Sequence, residues 1–248
     1  MATVVIDTQA IEKRNKRTRE HRFFWAMSLV LAFVVLVGFA KTYFLAPYFQ
    51  AKPLAAPIVH VHAALFTAWI VLLVAQTSLA SSGYVRIHRR LGLVALALAP
   101  TVFILGVLVA IEMLNRLHGT PHFDADRIYA VALSEIIGFA APTFLALRLR
   151  RRPDVHKRLI LIGTTSMMTA GFGRWPIKFL LHQPIPAMSC TFGLLAMVIA
   201  YDWKSSSRIH PATALGVAWV VLLQAASVPF SHTFAWHAFA LWSRSLSL

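Results

Sequence analysis

Leu91-Gly-Leu-Val-Ala-Leu-Ala-Leu-Ala-Pro-Thr-Val-Phe-Ile-Leu-Gly-Val-Leu-Val-Ala-Ile111 carries no charge and no polar stripe. A helix with one face in water would show such a stripe. About 20 apolar residues of helix cross a hydrocarbon core roughly 30 Å thick. Lipid offers no partner to an unpaired peptide group, so the segment closes its hydrogen bonds internally as a helix. The same reasoning extends in both directions along the chain. Spans are expected near 23–46, 58–80, 91–114, 128–147, 159–182, 187–203 and 212–230. The chain reads as an all-α polytopic transmembrane bundle of about seven helices: a basic tail at 1–22, then a single membrane domain at 23–248. A hydrophobic content of 58%, only 13% charged residues and a mean hydropathy of +0.66 agree with this class.

Lysine and arginine orient such a bundle. With the N-terminus in the cytoplasm, seventeen of the 24 basic residues fall on cytoplasmic segments: 13–22, 86–90, 148–158 and 204–208. Lys41, Lys52, Arg116, Arg127, Arg174, Lys178 and Arg244 remain on the other side, and seven spans place the C-terminus outside. The net charge of +15 is then a topology signal and an attraction to anionic headgroups. It is a poor argument for nucleic-acid binding. The apolar run after Phe23 exceeds the core of a signal peptide and reads as an uncleaved first helix. The expected location is a bacterial cytoplasmic membrane, with membrane lipids as partners and a redox partner or a second copy of the chain as further candidates. One cysteine, Cys190, excludes an intramolecular disulfide and a thiolate-rich metal cage.

The eleven histidines gather at the ends of the spans. His60, His62, His118, His122, His182, His232 and His237 share the outer side; His21, His88, His156 and His210 share the inner one. Imidazole is the commonest ligand for transition metals and an axial ligand for haem. The outer candidates for haem b or a metal are His60 or His62 with His182 or His232. At i and i+2 on a helix His60 and His62 point about 200° apart, so only one of them faces a given interior site. On the inner side His88-Arg89 and His156-Lys157-Arg158 open helices after basic loops, where an anionic headgroup would be favoured. The bland alternative is that histidine, like tyrosine, sits well at a membrane interface.

Three charges lie within the apolar regions: Glu135, Arg174 and Lys178. Counted from the outer ends, Glu135 and Arg174 both lie about 10–12 Å deep. Charges at that depth are costly unless paired or lining a polar cavity. The pair therefore marks a substrate site or, structurally, a bridge between two helices, while Lys178 snorkels outward. Gly171-Phe-Gly-Arg-Trp-Pro176 combines flexible residues with a proline that removes a backbone donor. A kink beside Arg174 is expected, or a helix that stops near Trp175.

His62, Gln76, His88-Arg89-Arg90-Leu91-Gly92, Asp154-Val-His156-Lys157-Arg158 and Arg174 resemble the pattern of the DUF2306-like group of bacterial polytopic membrane proteins of unknown function, over roughly residues 58 to 175. That group has a distant look of cytochrome b561-type bundles. The resemblance implies haem, although here the histidines crowd the helix ends instead of forming clear transmembrane pairs.

Phosphate loops, dinucleotide-binding glycine patterns, His-Glu-x-x-His and Gly-x-Ser-x-Gly are all missing from the sequence. No enzymatic reaction is assigned. Three functions stay open: a haem or metal redox protein in which Arg174 holds an anionic group, a small-molecule transporter or receptor using Glu135 and Arg174, and a lipid- or partner-binding scaffold.

Overall fold

The computed structural model describes residues 8–50, 56–121 and 123–246. Lys52 and His122 lie outside them, as does the side chain of Lys13. The described residues form helices and no strands. In chain order these are α1 (Thr8–Phe39), continued by a π-helical turn at Ala40–Phe44, α2 (Pro57–Ser81), α3 (Val85–Leu117), α4 (Ala125–Arg148), α5 (Pro153–Ser166), α6 (Met168–Phe172), α7 (Pro184–Ser206), α8 (Pro211–Phe230) and α9 (Phe234–Ser245). Proline opens α2, α5, α7 and α8. There its missing N–H costs nothing and its fixed φ suits the first turn. Asp124 caps α4 by accepting from Arg127 N at 2.9 Å, and Thr233 caps α9 by accepting from Trp236 N at 3.2 Å.

Six helices are long and apolar enough to cross a membrane: α1, α2, α3, α4, α7 and α8. The fifth expected span, 159–182, is not one helix. It divides into α5 and α6 at Met167, and regular helix ends at Phe172. Helix α1 also reaches back to Thr8 through the basic tail, whose lysines and arginines are good helix formers.

Helices α1 to α4 pack in sequence against one another, while α5 and α6 sit between α1, α4, α7 and α8. Helix α4 lies at the centre: 61% of its apolar window is buried, against 28–39% in the other five long helices. The main core joins Met27, Leu31 and Val34 of α1, Trp69 of α2, Phe139 of α4, Leu161 of α5 and Met168 of α6. Lipid is as apolar as these side chains, so close packing rather than water exclusion holds such helices together, and small residues at crossings permit it. A Cβ on Gly38 would collide with the carbonyl oxygen of Gly171, so α1 and α6 touch backbone to backbone. A Cβ on Gly163 would lie 2.6 Å from Thr143 Oγ1, fixing the approach of α5 to α4.

Candidate functional site

The interruption at Met167 has a local origin. Thr164 and Thr165 donate through their hydroxyls to the carbonyls of Ile160 and Leu161, at 2.9 and 2.8 Å. Back-bonding of this kind bends helices. The following Gly171, Gly173 and Pro176 give the chain no reason to resume a long helix. Peptide groups freed at this depth need partners from the protein. Gln224 of α8, fully buried, donates from Nε2 to Ser166 O at 2.6 Å. Glu135 of α4 accepts from Ala170 N through Oε2 at 3.3 Å, and its own carbonyl oxygen lies 2.9 Å from Ser166 Oγ. Two buried polar side chains from neighbouring helices thus stabilise the break.

Glu135 and Arg174 do not form a direct ion pair. They meet on one residue: Ala170 gives its N–H to Glu135, and its carbonyl accepts from Arg174 Nη1 at 2.7 Å. The guanidinium carbon of Arg174 stands 4.7 Å from the ring centroid of Phe39 in α1, a favourable cation–π placement. No carboxylate of the described residues lies within 4.0 Å of Arg174. Of its five donors, Nη1 alone has a hydrogen-bond acceptor among the described residues. The charge of Arg174 also reaches His62 of α2 and Arg116 at the end of α3. His62 is half-buried and lies parallel to the Phe66 ring at 6.2 Å, and its buried Nδ1 has no hydrogen-bond partner among the described residues. Glu135, Arg174 and His62 are therefore neighbours around the break.

The other histidines of this end lie at the surface. His60 is exposed beside Tyr43, whose ring centroid is 6.0 Å away. His182 is exposed at a positive φ of 58° and donates its backbone N–H to Gly173 O at 2.8 Å, which closes the irregular loop after α6. His232 is exposed in the turn between α8 and α9, and His118 is exposed after α3. Lys178 is exposed in the same loop as His182, and Glu112 is half-buried in α3. His237 of α9 bonds to the carboxylate of Asp126. Among the described residues, no group of three or more His, Cys, Asp or Glu side chains is arranged to hold a metal ion.

The opposite end of the bundle carries the basic loops and a second network. Arg158 of α5 is 5% exposed and donates to the Asp202 carboxylate of α7 from Nη2 at 2.6 Å and Nε at 3.1 Å. Asp202 also accepts from Thr213 Oγ1 at 2.5 Å and from His210 N at 3.2 Å. Lys157 pairs with Glu20 of α1 at 2.5 Å and with Asp154 at 2.8 Å, and the second bond holds the Asp154 carboxyl below its usual range. The Arg158 guanidinium is thus turned inward rather than displayed. His156 bonds through Nδ1 to Ala146 O at 2.9 Å, and His88 through Nδ1 to Gln76 O at 3.3 Å. Burial holds the His156 imidazole below its ordinary value; the bond to Ala146 opposes this, and the charges of His88 and Arg150 add to the lowering. These histidines fasten helix ends to one another. Arg89 is exposed.

Reading the sequence missed Asp202 and Gln224 as partners. Each had a visible signal, namely a lone carboxylate at the end of an apolar span and a lone amide inside one. Helix α9 was also missed. It docks on α4 through Trp236 Nε1, which donates to Asp126 O at 3.0 Å, and a 3.0 Å bond from Tyr129 OH to Ser243 Oγ, and on the end of α3 through Arg244 Nε, which donates to Asn115 Oδ1 at 3.3 Å.

Comparison with family models, with curated proteins and with solved structures finds no match to this chain.

Proposed function

We propose that this is a seven-crossing protein of the bacterial cytoplasmic membrane, N-terminus inside and C-terminus outside, which binds a small anionic solute at its interrupted fifth crossing for transport or sensing. One observation carries the reading: among the described residues Arg174, at the depth of the break, has no carboxylate within 4.0 Å, and its charge is felt at His62, whose buried Nδ1 has no hydrogen-bond partner there. Unpaired arginines at membrane depth mark ligand pathways, and interrupted helices with exposed peptide groups are where membrane carriers place their substrates. Seventeen of 24 basic residues at the opposite end support the orientation. An anion that arrives with a proton on Glu135 leaves the net charge of the site unchanged, which gives that carboxyl a role beyond bracing Ala170. The likeness to the DUF2306-like group, which rests on His62 and Arg174 among its positions, is proposed with it. The test is thermal unfolding of the detergent-purified chain with inorganic phosphate, acetate, succinate and citrate, on the wild type and on Arg174→Gln. At least one anion is expected to stabilise only the wild type.

The unpartnered His62 Nδ1 also favours a second reading, in which His62 ligates haem b or a metal and Arg174 receives a propionate. The site itself offers one half-buried imidazole, with His60, His182 and His232 exposed at the same end. A visible spectrum taken oxidised and then dithionite-reduced decides between the two. A Soret band that shifts on reduction and is lost in His62→Ala establishes the haem reading. A colourless preparation from cells supplied with haem leaves the anion site.

A further inference from the structure

A groove of about 610 Å³ runs between α3 and α4 at the basic end of the bundle, away from the break. Pro100 and Phe103 of α3 and Phe139 and Phe144 of α4 form its apolar walls, and Arg148 and Arg150 stand at its mouth. Its volume is in the range of pockets that hold small molecules. From Phe139 to Arg148 it follows α4 for about 13 Å at 1.5 Å per residue. Phe144 is 69% exposed, so the groove opens sideways, toward the surface that a bilayer covers.

We propose that this groove is a specific site for an anionic phospholipid, with one acyl chain between α3 and α4 and the phosphate held by Arg148 and Arg150. Charge complementarity selects the occupant. Both arginines are exposed, neither has a carboxylate of the described residues within 4.0 Å, and only Arg150 has a protein acceptor, the carbonyl of Leu147 at 3.3 Å from Nη1. The contrast with Arg158, enclosed by Asp202, Asp154 O and Glu20, is complete. Guanidinium groups bind phosphate oxygens in a bidentate fork. An apolar channel ending in two such groups matches a molecule with a long apolar tail and an anionic head. In the proposed orientation this end faces the leaflet where anionic lipids create a negative surface potential. The groove also touches the machinery of the fold, because Phe139 lies four residues after Glu135 on α4 and edge-on to Trp69 at 5.1 Å. A lipid seated there bears on the helix that braces the break.

The test uses the full chain in detergent, titrated with dioleoyl phosphatidylglycerol, dioleoyl phosphatidylcholine or glycerol 3-phosphate, and counts bound lipid by native mass spectrometry. One phosphatidylglycerol per chain is expected to outlast the others. Arg148→Gln with Arg150→Gln removes two surface charges and is expected to weaken it about 30-fold. Ala140→Phe, which fills the groove and spares both arginines, is expected to reduce binding to the phosphatidylcholine level. Arg89→Gln is expected to change nothing. Equal retention of the two lipids, equal binding of chain-free glycerol 3-phosphate, or a double arginine variant within about twofold of wild type would each overturn the site. An equal loss in Arg89→Gln would assign the effect to diffuse charge and overturn it as well.

Discussion

Asp202→Ala is expected to destabilise the protein by about 3–5 kcal/mol, the usual result of removing one member of a buried ion pair. Asp202 is 1% exposed and accepts from Arg158, Thr213 and the backbone of His210, so a single carboxylate joins α5, α7 and the start of α8. Its removal leaves Arg158, itself 5% exposed, with Asp154 O and a carboxylate oxygen of Glu20 3.8 Å away. Desolvation of the guanidinium then goes uncompensated. Asp202→Asn keeps the shape but turns an amide N–H₂ toward the guanidinium or loses one acceptor, and is expected to fall between wild type and alanine. Replacing both partners, Arg158→Met with Asp202→Leu, is expected to recover most of the loss, since the cost comes from the orphaned charge rather than from the missing bridge. The thermal midpoint in detergent reads this out. At about 2–4 °C per kcal/mol for a chain of this size, Asp202→Ala should fall by about 10 °C. A double variant no more stable than the single one would show that the pair is needed for itself.

Gly38→Val is the second large effect expected. Added side-chain atoms meet the carbonyl oxygen and Cα of Gly171, and backbone cannot rotate aside as a side chain can. Helices α1 and α6 must separate, at a cost near the upper end of the about 1–3 kcal/mol typical of overpacking. The separation also withdraws Phe39, the next residue, from the Arg174 guanidinium. Loss of stability and loss of anion response are therefore expected together. Gly193→Val supplies the control. Nothing lies within 4 Å of a Cβ at Gly193, so the same substitution is expected to stay within about 0.5 kcal/mol of wild type. Equal behaviour of the two variants would show that the α1–α6 contact does not hold the bundle together.

The contrast between these residues and the helices explains what was legible in the sequence. Six of the expected spans correspond to single long helices because lipid imposes length and apolarity residue by residue, without reference to neighbours. The neighbourhood of Glu135 and Arg174 was legible for the same reason, since depth along a helix can be counted. The irregular backbone expected at 171–176 is present, since regular helix ends at Phe172; the earlier interruption at Met167, where hydroxyl back-bonding combines with acceptance from Gln224, was not foreseen. That second factor is tertiary and has no local trace. The lone carboxylate of Asp202 was visible but its partners were not, because the five bonds it accepts come from residues 8 to 44 positions away. Helix α9 was missed because twelve residues fall short of a span, although Thr233 is a good cap and Phe234, Trp236, Phe239 and Trp242 supply apolar surface.

The anion site at the break is tested by titrating wild type and Arg174→Gln with the four anions, with Glu135→Gln as the third sample. A ligand at one hundred times its dissociation constant stabilises its protein by about 2.7 kcal/mol, a rise of about 5–10 °C here. Such a rise is expected in the wild type for at least one of phosphate, acetate, succinate or citrate, with its retention in Glu135→Gln and a shift indistinguishable from zero in Arg174→Gln. A wild type that responds to none of the four, or an Arg174→Gln that responds equally, would contradict the assignment of this break as an anion site.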